Sequence, residues 1–249
     1  MRFLLALAFM AVASAATAAD ADHHDLKIYG MEARPVMFSS GAKPDGLAVE
    51  LAREMQRCAG SRETIEIIPW ARANALAASK PNVLLLSIVP TPERSGYLRF
   101  VGPIFSSHTA GYALRGKADE LRARDPGLHT LHAGGRRGSV FVSQARANGF
   151  NLTDETNTSD LAARMLMTGR FDLWFESEVL VKDALERAGY AMHDVARMVQ
   201  FPPHPAYFAF SAGTPESLVQ TWDRCLRQAK RDGAFQRIHR KWLPENALP

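Results

Sequence analysis

Cysteine is nearly absent from this sequence: of 249 residues only Cys58 and Cys225 carry a thiol. Two cysteines so far apart give none of the close spacings that hold zinc, and they allow at most one disulfide. Whether they are bonded is open at this level. Beyond the N-terminal segment no stretch reaches the ~20 apolar residues a membrane-spanning helix needs. Lys and Arg number 30 against 26 acids, a net charge of +4, and they are scattered along the chain. No basic run is interleaved with aromatics, so a nucleic-acid footprint is missing. There is no Gly-x-Ser-x-Gly elbow, which weakens a serine-hydrolase reading. Gly134-Gly-Arg-Arg-Gly-Ser139 is glycine-rich but lacks the Lys-Ser/Thr ending of a nucleotide phosphate loop. His129 and His132, if on a strand, point to opposite faces and cannot share a metal. No internal repeat or low-complexity tract is found in the mature chain. An apolar share of 47% with 22% charged residues is an ordinary globular composition.

The chain opens with Met1-Arg2, an apolar core from Phe3 to Val12 and a small-residue tract from Ala13 to Ala19. These are the three parts of a secretory signal peptide, with cleavage expected near Ala18 or Ala19. The apolar core is too short for a permanent span, and no cysteine follows it for lipid attachment. A free, exported periplasmic protein is the expectation. If so, Cys58 and Cys225 meet an oxidising compartment.

Strands and helices alternate through the first part of the chain. Leu26–Gly30 reads as a strand, and Gly46–Cys58 as a helix with Leu47, Leu51, Met55 and Cys58 on one face. A strand over Thr64–Ile68, an alanine-rich helix from Pro69 and a buried strand over Val83–Ile88 follow. Such alternation predicts parallel pairing in an α/β fold. A second alternating unit is expected from Gly111, with strands at Leu128–Ala133 and Phe171–Phe175 and a glycine-rich turn from Gly134 to Ser139. Ser177 is read as the start of a helix. The last helical region places Leu218, Trp222, Cys225, Leu226 and Ala229 on one stripe.

The most informative stretch runs from Ser87 to Ile104. Thr91-Pro92-Glu93 is a helix start, with a hydroxyl cap, proline at the first position and an acid in the first turn. Arg94 therefore stands just past the end of a buried strand, where open α/β sheets bind ligands. Its planar fork of donors suits a carboxylate.

Taken in order, several motifs resemble those of extracellular solute-binding proteins of family 3, the amino-acid-binding group serving ABC importers. They are Asp45-Gly-Leu-Ala-Val-Glu-Leu51, Pro69-Trp70, Thr91-Pro-Glu-Arg94 with Phe100-Val-Gly-Pro-Ile104, Arg137-Gly-Ser139, Gly169-Arg-Phe-Asp172 and Asp232–Trp242. The resemblance covers essentially the whole mature chain. It implies a two-lobed, type II periplasmic-binding-protein-like fold, with ligand trapped between lobes that close about a hinge. The implied division is 1–19 signal peptide, 20–110 and 206–249 lobe 1, and 111–205 lobe 2. Hinge candidates are Ser106 to Ala110 and Pro202 to Pro205.

The resemblance also implies roles. Arg94 falls on the family's carboxylate-binding arginine, Ser87 on the strand end that supplies hydroxyl or backbone contacts, and Gly138-Ser139 on a helix N-terminus of the other lobe, which favours an anion. Where the family commonly holds an α-ammonium with Asp, this sequence has Ser177 between Glu176 and Glu178; Glu176 is the acid favoured for that end. Thr91, Trp70, Arg72, Phe38 and Glu32 complete the ligand-binding candidates, and Tyr112 and Trp174 are further aromatics considered for the cleft. With both cysteine helices in one lobe, Cys58 and Cys225 are a disulfide candidate. A monomer is expected, with a small carboxylate ligand and an inner-membrane ABC permease as partners, and without cofactor or catalytic group. Alternatives are a periplasmic enzyme similar to cyclohexadienyl dehydratases, and a ligand sensor serving a receptor kinase.

Overall fold

The computed structural model describes residues 25–124 and 127–249. The signal-peptide reading falls on residues 1–19, outside the described residues. In chain order the strands are β1 (Lys27–Gly30), β2 (Phe38–Ser40), β3 (Lys43–Asp45), β4 (Ile65–Ile67), β5 (Val83–Ile88), β6 (Leu98–Ser107), β7 (Thr109–Leu114), β8 (Ala133–Arg136), β9 (Leu152–Thr156), β10 (Leu173–Ser177), β11 (Val195–Gln200) and β12 (His204–Ser211). The helices are α1 (Leu47–Ala59), α2 (Trp70–Ser79), α3 (Pro92–Ser95), α4 (Ala118–Arg122), α5 (Val140–Ala147), α6 (Ser159–Met167), α7 (Val181–Ala188), α8 (Glu216–Arg231) and α9 (Ala234–Trp242).

Two five-stranded sheets form, in the orders β4-β1-β5-β12-β6 and β11-β7-β10-β8-β9. In the first, β1 pairs parallel with β4 and β5, and β12 runs antiparallel between β5 and β6. In the second, β8 pairs parallel with β9 and β10, and β7 runs antiparallel between β10 and β11. The chain leaves the first sheet after Ser107 and enters the second at Thr109. It comes back between Gln200 and His204. These are the two crossings of a two-lobed fold.

Burial explains the assignments. In β5 every residue but Ser87 is buried, as a strand covered on both faces requires. One face of the first sheet packs on α1, α8 and α9 and the other on α2. Cys58 of α1 and Cys225 of α8 are bonded, with their Cα atoms 5.8 Å apart.

The second lobe corrects two expectations. Residues 128–130 form a 3-10 turn, and the strand expected there begins instead at Ala133 and runs through Gly134-Gly135-Arg136. The reason is close packing. A Cβ on Gly134 would lie 2.4 Å from the Phe171 ring, and one on Gly135 would lie 2.7 Å from Val142. Only glycine fits between those layers, so here it marks close approach and not a turn. Ser177 ends β10 instead of opening a helix, and α7 starts at Val181. Tyr112 and Trp174 are buried against each other in this lobe's core, away from any cleft.

Candidate functional site

The site grows from two strand ends that face each other across the lobes. At the end of β5 the backbone turns at Ser87, whose φ of 58° is unusual for a residue with a side chain. Strain of this kind collects at functional sites. Thr91 then caps α3, its hydroxyl accepting from the Arg94 N–H at 3.2 Å. The cap fixes where the arginine leaves the backbone. The Arg94 guanidinium donates to the Val89 carbonyl at 2.9 Å and lies 5.0 Å from the Trp70 ring. Burial lowers its pKa, and the positive charge of Arg136 pushes the same way. Among the described residues no carboxylate stands within ion-pair distance of it.

From the second lobe, β8 ends at Arg136 and the chain turns at Gly138, with φ of 65°, into α5. Glycine is needed there twice over: for the left-handed backbone, and because a Cβ would press on the Trp70 indole nitrogen at 3.3 Å. Ser139 caps α5 by accepting from the Val142 N–H at 3.2 Å. The free amides and positive dipole end of α5 thus point an anion-binding turn at the first lobe. Arg136 reaches across to the Met31 sulfur at 3.5 Å, and its buried Nε has no partner. Arg137 is exposed, with Glu155 3.6 Å distant, and borders the same cleft.

Below these groups the crossing strands supply a polar floor. The Ser107 and Ser177 hydroxyls are 2.6 Å apart. His204 is pushed down to about 4 by burial and by neighbouring His108, so its imidazole is neutral near pH 7. Its Nδ1 is buried without a partner. The cavity between these groups measures about 70 Å³ to the centres of water-sized spheres. One water needs ~10–15 Å³ on that scale, so the space suits a small molecule. Apolar side chains, among them Met31, Met37, Phe105 and Phe141, form most of its wall.

Of the sequence-based candidates, Arg94, Ser87, Trp70, Gly138, Ser139 and Ser177 come together around this cavity. The others are placed elsewhere. Thr91 acts through its cap on Arg94. Arg72 is exposed, because Ala73 and Ala77 form the buried face of α2. Phe38 is buried against Trp242 beneath the Arg34 guanidinium. Glu32 is exposed and accepts from the Ser39 N–H at 3.0 Å. Glu176 is fully buried on the far side of β10 from Ser177, since neighbouring strand residues face opposite ways. Its Oε1 accepts from the Ser177 N–H and its Oε2 has no partner. Burial raises its pKa while the charge of Arg136 opposes that shift.

Arg136, His204, Phe141 and Ser107 line the cavity without being sequence-based candidates. The legible signal for Arg136 was its place after two glycines. Read as strand residues in close packing, they put Arg136 at a strand end just as β5 puts Arg94. His204 and Ser107 have no local signal, because only the crossing of the lobes brings them to the floor.

Solved structures with this architecture include a histidine kinase sensor domain similar to periplasmic binding proteins, with a TM-score of 0.80, 20% identity, and coverage of 92% of this chain and 100% of that one. They include an arginine-, lysine-, histidine-binding protein from Geobacillus stearothermophilus, with a TM-score of 0.76, 17% identity, and coverage of 89% and 96%. A substrate-binding protein of an ABC uptake transporter from Streptococcus pneumoniae, with bound histidine, gives a TM-score of 0.74, 18% identity, and coverage of 90% and 94%. No curated protein matches the chain in sequence. The family model for bacterial extracellular solute-binding proteins, family 3, matches residues 28–245, and the chain belongs to that family.

Proposed function

We propose that this is a periplasmic solute-binding protein that captures a small carboxylate-bearing solute and delivers it to an ABC importer. The observation that carries the reading is Arg94, a part-buried guanidinium at the mouth of an interlobe cavity, with no carboxylate within ion-pair distance among the described residues. A buried charge of this kind is costly until an anion pairs with it, so the site favours a carboxylate. Contacts between the lobes support capture by closure: Trp70 against Gly138, Arg136 to Met31, and Arg34 to Asp183 at 3.3 Å. A ligand touching both strand ends stabilises the closed form because only that form makes both sets of contacts. The moving bodies in this reading are residues 20–110 with 206–249, and residues 111–205. Two of the similar structures are of proteins described as binding amino acids, one of them for an ABC uptake transporter.

A second reading, sensing, is favoured by the likeness to a histidine kinase sensor domain. The same cleft serves it, with a receptor in place of a permease. A thermal-shift screen over amino acids, polyamines and organic acids tests the common core. A carboxylate ligand is expected to raise the melting temperature, by mass action on the folded state, and to shrink the radius of gyration in solution scattering. Binding without any change of radius would contradict closure. Binding only of polyamines would overturn the carboxylate site. Pull-down of a permease or of a receptor kinase separates transport from sensing.

A further inference from the structure

The cavity is unusual in its charge inventory. Arg94 and Arg136 enter it from opposite lobes, near enough that Arg136 disfavours the Arg94 cation, and neither has a carboxylate within ion-pair distance among the described residues; Arg137 also lines it but has Glu155 at 3.6 Å. Among the described residues no Asp or Glu lines it. The nearby acids lie outside it: Glu93 is an exposed neighbour of Arg94 on α3 and acts on it only through space. Glu176 is sealed behind Ser177, with one oxygen held by a backbone N–H. Glu32, Asp160 and Asp183 line a separate cavity, where Glu32 takes the Ser39 N–H, Asp160 meets Arg164 and Arg187, and Asp183 meets Arg34.

We propose that the cleft takes a dicarboxylate whose first acid group is held by Arg94 and whose second is held by Arg136, and that it turns away the α-ammonium of an amino acid. This rests on the carboxylate-binding reading of the cleft. Two guanidinium groups brought together in a part-buried space repel each other, and a dianion between them removes that cost. A monocarboxylate satisfies only one fork and leaves the other uncompensated. Glu176 offsets part of the Arg136 charge through space but does not occupy its fork, and the free Nε of Arg136 still has a donor to give. An ammonium, by contrast, meets two cations, a neutral imidazole and hydroxyls. Ser177, which lines the cavity, has its hydroxyl already paired with Ser107. The wall of Trp70, Phe105, Phe141 and Met37 fits an apolar body between the two acid groups.

The test is calorimetric titration of the purified protein with glutarate, adipate and isophthalate, each against its monocarboxylate (valerate, hexanoate, benzoate), and with glutamate against glutarate. At least one dicarboxylate is expected to bind roughly tenfold or more tightly than its monocarboxylate, and glutarate more tightly than glutamate. Arg136→Gln is expected to weaken the dicarboxylate about thirtyfold or more, the loss typical of removing one partner of a buried charge pair. It should weaken the monocarboxylate far less than the dicarboxylate, a split that loss of folding would not produce. Equal binding of dicarboxylate and monocarboxylate, or no effect of Arg136→Gln, overturns the proposal and leaves the carboxylate reading intact. So does binding of an amino acid when none of the dicarboxylates binds. If no acid of any kind binds, both fall together.

Discussion

The two lobes share a sheet pattern, three parallel strands extended by antiparallel crossing strands, yet they are held together by different means. In the first lobe α1 and α8 are joined by Cys58–Cys225 and backed by α9, and the core on that side is one contiguous cluster. The second lobe has no cysteine, and its core, like that of the first, lies in two clusters on opposite sheet faces, one under α6 and α7 and one under α4 and α5, each smaller than the first lobe's main cluster. The larger cluster reaches across the cleft to Phe141, Val179 and Leu180 of the second lobe. The first lobe thus supplies a stiff platform that presents Arg94, and the second a lighter body that brings Arg136 and the α5 N-terminus to it. The platform is held by cross-linking and helix packing, whereas in the second lobe two glycines of β8 let Phe171 and Val142 pack directly on the strand.

The comparison is broken most sharply at Arg94. Arg94→Ala is expected to cost roughly 2 to 5 kcal/mol of binding, about thirtyfold to several thousandfold in affinity. Arg94→Lys should restore only part of this, since an ammonium keeps the charge and loses the fork. Arg72→Ala, on the exposed face of α2, should change affinity little. Equal losses at both positions, read by calorimetry, would remove Arg94 from the site.

Removing the cross-link probes the platform. The Cys58→Ser, Cys225→Ser double variant opens a loop with a sequence separation of 167, and a stability loss of about 2 to 5 kcal/mol is expected from denaturant unfolding. An unmoved unfolding midpoint would mean the helices alone supply the stiffness. In the second lobe, Gly134→Ala places a Cβ against the Phe171 ring and is expected to cost about 1 to 3 kcal/mol through overpacking. Phe171→Leu should relieve the penalty in a double-mutant cycle. Additive losses would show that the two residues are not in contact.

His204 connects the lobes to pH. Its pKa is about 4 in the folded chain against an ordinary 6.5, because burial and His108 disfavour its cation. The unfolded chain then binds more protons than the folded one between those values, so stability rises with pH there. The His204 contribution is complete above about pH 6.5 and is lost as pH falls toward 4. His204→Gln should flatten that slope in urea unfolding, and an unchanged slope would assign it to other groups. The smallest effect is expected at the interlobe pair Arg34–Asp183, where both partners are partly exposed. Asp183→Asn should cost less than about 1 kcal/mol of closed-state stability. A tenfold loss of ligand affinity in this variant would instead make the pair a latch.

The sequence by itself determined the α/β alternation, the family and the placement of Arg94. Each depends on local patterns: a short unbroken apolar run ending in a Thr-Pro-Glu start puts an arginine at a strand end whatever the rest of the chain does. The cap by Thr91 and the helix start at Ser139 were legible for the same reason. Only the tertiary structure decided the rest of the site. Gly134 and Gly135 carry turn-like chemistry, and it takes Phe171 and Val142 packed on either side to show that they are a strand delivering Arg136 to the cleft. Ser107, Ser177 and His204 lie far apart in sequence and meet because the chain crosses twice between the lobes. Glu176 and Ser177 are neighbours of similar local promise, and the side of β10 each faces decides that the hydroxyl lines the cleft and the carboxyl does not. Side-chain direction along a strand follows from its register with neighbouring strands, and that register is set by contacts between residues distant in the chain.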